Sequence, residues 1–273
     1  MDYIELGKKI YNMENPREVK RCVVFVARCL LNNGRMKQIH PFFYNKSTFD
    51  ERAKILEQHM DFMEKYFKKD VFLGLYGEKP YTLWERKDEI GSLRFELSFN
   101  PGERKEGLLS VVLHLDDVML YRIMFWISAD KKGDMSLWIG AMQGPNVENA
   151  KDLVKKVTRR CHSYRTKNFI LHVTQEVAKA LGLVHIYAVT NYGYYANTHM
   201  RMEKKLKTSF GDFWEESGGH PCEDKRFYEL PMTEARKTME EIPTRKRNYY
   251  RKRYALLDEV DASVAEKIRL LLK

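Results

Sequence analysis

The sequence predicts an α+β fold: a mostly antiparallel central sheet flanked by helices, with a helical N-terminal part and a basic helical C-terminus. Three observations carry this. Apolar residues recur at helical spacing as far as about residue 80; near residue 92 the hydrophobic period falls from about 3.6 to about 2; and helical spacing returns beyond Val147. With 273 residues, the chain is long enough to bury a substantial core. The organisation expected is a helical part over 1–80, an α+β core over 81–235 and a basic helical tail over 236–273.

Each element has its own local signal. Arg21 to Leu31 is an apolar stretch of helical character. Thr48-Phe49-Asp50-Glu51 forms a capping box, in which Thr48 accepts from a first-turn amide while Glu51 reaches back. Ile55, Leu56, His59, Phe62, Met63, Tyr66 and Phe67 then line one helical face, and His59 on that stripe reads as a packed histidine. Phe72 to Tyr81 contains Gly74, Gly77 and Pro80 and reads as a loop or a subdomain boundary. Leu93, Phe95, Leu97 and Phe99 alternate with polar residues, which predicts a half-buried strand over 92–100. Tight turns at Asn100-Pro101-Gly102, Asp116-Asp117 and Lys131-Lys132-Gly133-Asp134 divide off further strands at 107–116, 118–128 and 134–143, an antiparallel meander. Val147, Ala150, Leu153, Val154 and Val157 mark one later helix. A second over 168–182 ends at Gly182, and Val184 to Val189 makes a short buried strand. Val260, Val264, Ile268 and Leu271 stripe a final helix.

Composition narrows the functional classes. Hydrophobic residues make up 44% and charged residues 32%, ordinary soluble usage, and no apolar run approaches the roughly 20 residues of a membrane helix. The start, Met1-Asp2-Tyr3-Ile4-Glu5-Leu6, lacks the basic residues of a signal peptide, so the expected location is the cytoplasm, with the inner-membrane surface as a peripheral site. Cys22, Cys29, Cys161 and Cys222 fit neither a disulfide framework nor a paired metal site and read as reduced thiols. The formal net charge of +10 favours phosphates, nucleic acid, anionic lipid or an acidic partner. There is no Walker loop, no Rossmann fingerprint and no Gly-x-Ser-x-Gly elbow, and the histidines show no metal-ligand spacing. ATPase, dehydrogenase and serine-hydrolase readings fall, and no metal is expected.

Several segments carry a resemblance. They are Ile139-Gly140-Ala141-Met142-Gln143-Gly144-Pro145, Thr158 with His162 and Arg165, Phe213-Trp214-Glu215-Glu216-Ser217-Gly218-Gly219, Tyr228-Glu229-Leu230-Pro231, and Tyr250-Arg251-Lys252-Arg253-Tyr254-Ala255-Leu256-Leu257-Asp258. In these the chain resembles the VirK/YbjX proteins of Gram-negative bacteria. The resemblance implies a cytoplasmic protein linked to virulence, envelope remodelling and resistance to antimicrobial peptides, without an agreed reaction. Where relatives show a Gly-Leu-Arg-Pro type of turn, this chain has Ser163-Tyr164-Arg165-Thr166.

A meander running into a helix and then a short strand is also similar to the order of elements in GNAT-type acyltransferases, where a helix N-terminus holds the donor pyrophosphate. The glycine-rich donor loop of those enzymes is missing, and an extra helix precedes the candidate one. On this reading Arg165, Lys167 and the Asn168 amide hold the phosphates of an acyl-coenzyme A or acyl carrier protein donor. Gln143 orients the acyl group, and His199, after the turn Tyr192-Gly193-Tyr194-Tyr195, is the general base toward an amine or hydroxyl of a peptide or envelope acceptor. Trp126, Trp138 and Trp214 read as core aromatics. Two further readings rest on residues 236–254, where eight basic residues stand against two glutamates. One is a non-catalytic envelope-stress or virulence protein that binds anionic membrane or a partner protein; the other is a nucleic-acid binder that uses Tyr249, Tyr250 and Tyr254 for stacking.

Overall fold

The computed structural model describes residues 42–197 and 210–273. The expected helix at Arg21 to Leu31, Cys22, Cys29 and the candidate base His199 lie outside the described residues. Helix α1 (Phe49–Tyr66) starts at the expected capping box, with Glu51 N–H donating to Thr48 Oγ1 at 3.2 Å and Thr48 N–H donating to Glu51 Oε2 at 2.6 Å. Helix α2 (Lys69–Tyr76) follows at once.

The existence of α2 corrects the loop expected at Phe72 to Tyr81. Gly74 does not break the chain there but makes room, since a Cβ on it would stand 2.5 Å from the Tyr81 hydroxyl. Strand β1 (Tyr81–Asp88) was also missed. A bulge between Thr82 and Trp84 turns both Leu83 and Trp84 into the core, which erases the alternation that marks a strand.

The meander is as the period change predicts. Strands β2 (Gly91–Ser98), β3 (Leu109–Leu115), β4 (Val118–Ala129) and β5 (Met135–Gln143) pair antiparallel in sequence. Helix α3 (Ala150–Arg160) and helix α4 (Thr166–Ala180) come next. Gly182 ends α4 at a φ of +68°, and β6 (Ile186–Val189) then pairs with β5. After α5 (Phe210–Glu216), β7 (His220–Pro221) and β8 (Phe227–Leu230) complete the sheet, and α6 (Thr244–Leu271) closes the chain.

The eight strands lie in the order β1-β2-β3-β4-β5-β6-β8-β7. Every neighbouring pair is antiparallel except β5 with β6. Ile123 to Ser128 in β4 are buried without a break, so both faces of the sheet are covered there, whereas β2 alternates. Phe169 of α4 packs edge-on against Phe95 of β2 at 4.8 Å. The basic C-terminal segment is integral to the core: Leu256, Leu257, Val260, Val264 and Ile268 of α6 are buried, and Ser263 Oγ donates to Leu83 O at 2.8 Å. Trp126 and Trp214 are core aromatics, and Trp138 is half-buried.

His59 is the packed histidine its position predicts, fully enclosed. Its Nδ1 accepts the Ile127 N–H at 3.0 Å, and its Nε2 lies 2.7 Å from the Tyr76 hydroxyl. A backbone N–H only donates, so Nδ1 is bare and the proton sits on Nε2.

Candidate active site

The site forms where β5 and β6 part. Their parallel pairing runs from Leu137 opposite Ile186 to Ile139 opposite Ala188, while β5 continues on its β4 side to Gln143. Residues 140–143 therefore have one backbone edge without a strand partner among the described residues. A crevice beyond the carboxyl ends of parallel strands is the usual place for a ligand in sheets with such an opening.

Glu106 lies across this crevice. It follows the short turn Pro101–Glu103, where the Asn100 side chain accepts from Gly102 N–H at 2.9 Å. The turn lies against β5 because Gly140 has no side chain: a Cβ there would stand 1.9 Å from the Glu106 carbonyl oxygen. Opposite Gly140 the β4–β5 register shifts between Met124 and Phe125. Gln143 Nε2 donates to Glu106 Oε2 at 2.6 Å, and the Tyr194 hydroxyl donates to Oε1. Gln143 ends β5 and Tyr194 follows β6, so a single carboxylate links the two sides of the opening.

The electrostatics of this carboxylate are set by burial. Glu106 is 5% exposed, and desolvation raises its pKa above the usual carboxylate range, against the lowering effect of its two hydrogen bonds. Burial, then the charge of Glu106, pushes the Tyr194 phenol up, so Tyr194 stays a donor. Tyr195 stands edge-on to it at 4.9 Å.

Tyr121 ties α4 to this place. Its hydroxyl is hydrogen-bonded to the Thr166 side chain, and its ring lies 3.4 Å from the position a Cβ would take on Gly144, next to Gln143. Arg165 is the N-cap of α4, extended and without a side-chain cap bond. Phe169 N–H donates to Arg165 O at 2.9 Å, so the amides of Thr166, Lys167 and Asn168 precede the first bond of the helix. Their N–H groups and the helix dipole concentrate positive potential at this end. The Arg165 guanidinium lies 3.3 Å from Glu216, Lys167 Nζ lies 4.4 Å above the Phe213 ring, and the buried Asn168 Oδ1 has no hydrogen-bond partner among the described residues.

The turn before α4 runs through left-handed backbone. His162 and Ser163 have φ values of +52° and +59°, the left-handed region where glycine is free and serine is strained. Arg253 of α6 holds the turn in place, donating to the carbonyls of His162 and Ser163 at 2.9 and 3.0 Å.

The Tyr121 contacts bring Thr166, at the start of α4, near Gly144, the residue after Gln143. The Gln143 amide, read as reaching a substrate carbonyl, instead holds Glu106. Glu106 itself was missed, because a glutamate between Lys105 and Gly107 looks like a solvated turn and only the fold encloses it. The His185 Nδ1 lies 2.8 Å from Glu229 Oε1.

One family pattern matches residues 36–266, that of the proteins of unknown function designated DUF535. The chain belongs to this family. It includes the YbjX protein of Escherichia coli, which is 29% identical over 177 residues, 64% of this chain and 53% of that protein. An uncharacterized protein of Haemophilus influenzae is 30% identical over 263 residues, 89% of this chain and 87% of its own length. A protein named membrane protein LapB, from Mannheimia haemolytica, is 31% identical over 106 residues, 37% of this chain and 45% of that protein. Among the described residues of this family member, no helix is long and apolar enough to cross a membrane.

Proposed function

We propose that the protein is an acyltransferase, moving an acyl group from a phosphopantetheine thioester to an amine or hydroxyl acceptor. The observation that supports it is the buried Glu106 carboxylate, held from the two sides of the β5–β6 opening by Gln143 and Tyr194, with the start of α4 tied through Tyr121 to Gly144 at the end of β5. The order of elements, a meander followed by two helices and one parallel strand, is similar to that of the GNAT-type acyltransferases, with one helix more.

In this reading the donor phosphates sit on the first-turn amides of α4, and the thioester lies along the unpaired edge of residues 140–143, where a backbone N–H polarises its carbonyl. Glu106, rather than His199, removes the proton from the acceptor nitrogen or oxygen. A raised carboxylate pKa makes it a stronger base than an exposed glutamate. The acceptor attacks the carbonyl carbon, the tetrahedral adduct collapses, and the C–S bond breaks. The thiolate leaves and takes up a proton, and the acyl group stays on the acceptor. Gln143 and Tyr194 are positioning residues that hold the Glu106 carboxylate in place.

Calorimetric titration with acyl-coenzyme A tests the proposal. The wild type binds. Arg165→Ala with Lys167→Ala raises the dissociation constant roughly 30- to 900-fold, at about 1–2 kcal/mol for each of the two charged contacts. The unfolding midpoint changes little, because neither side chain is enclosed in the core. Absence of any binding heat and of any thiol release from acyl-coenzyme A by the wild type overturns the proposal.

A further inference from the structure

We infer that the acyl donor is delivered by an acidic carrier protein, which docks on a basic face formed by α3 and the first half of α6. This inference rests on the acyltransferase reading and names the form in which its donor arrives. Helix α3 carries Lys151, Lys155, Lys156, Arg159 and Arg160 against the single acid Asp152. Between Ile242 and Leu257 the chain holds six lysines and arginines and no acid.

The fold sorts these cations into two kinds. Arg160 Nε lies 2.8 Å from Asp88, and Arg253 holds the carbonyls of the α3–α4 turn, so both serve the structure. Lys155, Lys156, Arg251 and Lys252 are exposed and have no ion-pair partner among the described residues. Cations that the fold does not use, on one side of a molecule, are a surface for an anionic partner.

Position and shape then choose the partner. Arg253 anchors α6 to the turn that leads directly into Arg165 and α4, so the basic face adjoins the end where the donor phosphates are proposed to sit. The convergence of charge registers on His162 in that turn: after burial, the nearby Lys252, Arg86 and Arg253 lower its pKa. Beside α3 lies a cleft of about 520 Å³ with Ile90, Lys155, Lys156 and Arg159 among its lining residues. An acidic helix presented by a folded carrier can lay side chains into a cleft of this size, whereas a flat bilayer meets only its rim. A carrier docked here delivers its phosphopantetheine arm to the start of α4.

The test uses the full chain and the variant with Lys155→Glu, Lys156→Glu, Arg251→Glu and Lys252→Glu. The probes are an acyl carrier protein bearing a thioether-linked acyl chain, acyl-coenzyme A, and vesicles containing phosphatidylglycerol. The expected result is that the variant loses at least about 10-fold in carrier affinity, with a steep salt dependence in the wild type that the variant lacks. Its affinity for acyl-coenzyme A changes less than about 3-fold, and this retained binding also shows that it is folded. Equal carrier binding by both proteins overturns the inference. So does binding of the vesicles without the carrier, which makes the face a membrane surface. Binding of acyl-coenzyme A without the carrier leaves the acyltransferase reading intact and removes only this inference; binding of neither removes both.

Discussion

Glu106→Gln is expected to lower turnover by about 100-fold or more while leaving donor affinity within a few-fold of the wild type. The substitution keeps the size of the side chain. The amide oxygen still accepts from Tyr194, and a rotated Gln143 amide accepts from the new NH₂ group, so the turn over Gly140 is kept. What disappears is the base. Thiol release from acyl-coenzyme A, with water or an added amine as acceptor, measures the effect. The pH profile supplies a second reading, because burial raises the Glu106 pKa. The wild-type rate should climb with pH through a value above the ordinary glutamate range, as the carboxyl loses its proton, and the variant should lack that limb. A purely structural role for Glu106 predicts a lower unfolding midpoint and an unchanged profile.

The second large effect concerns stability in acid and comes from His59. Full burial lowers its pKa from 6.5 to about 3. The unfolded chain therefore binds this proton at a higher pH than the folded one. Stability from keeping His59 neutral is fully present above about pH 6.5 and is lost as pH falls toward about 3, at about 1.4 kcal/mol per unit, or roughly 4–5 kcal/mol in all. Protonation at Nδ1 would also break the bond from Ile127 N–H. His59→Gln cannot titrate. Urea unfolding of both proteins between pH 7 and pH 4 should show the wild-type curve falling more steeply, by about that slope. Parallel curves would show that the ring is not what makes the fold acid-sensitive.

How much of this was legible in the sequence follows from which signals are local. The meander was readable because Leu93, Phe95 and Leu97 face one side and polar residues the other, and a period of two has no other simple cause. Strand β1 was not, because its bulge puts Leu83 and Trp84 both inward. Helix α2 was hidden by Gly74, whose role is set by Tyr81, seven residues away in sequence and in contact only after folding. The site divides in the same way. The start of α4 is announced by its apolar periodicity, so this helix could be placed in advance. The carboxylate could not, since the burial of Glu106 depends on Gly140 and Gln143 of β5 and on Tyr194 after β6, all far from it in sequence.

The account depends most on a donor lying in the β5–β6 opening, and the structure of a complex with a thioether analogue of acyl-coenzyme A tests that directly. The phosphates should lie within hydrogen-bond distance of the Thr166, Lys167 and Asn168 amides, with the thioether sulfur along residues 140–143 and the acyl carbonyl near Glu106. An analogue bound elsewhere on the molecule, with that opening left closed by the protein's own side chains, would contradict it.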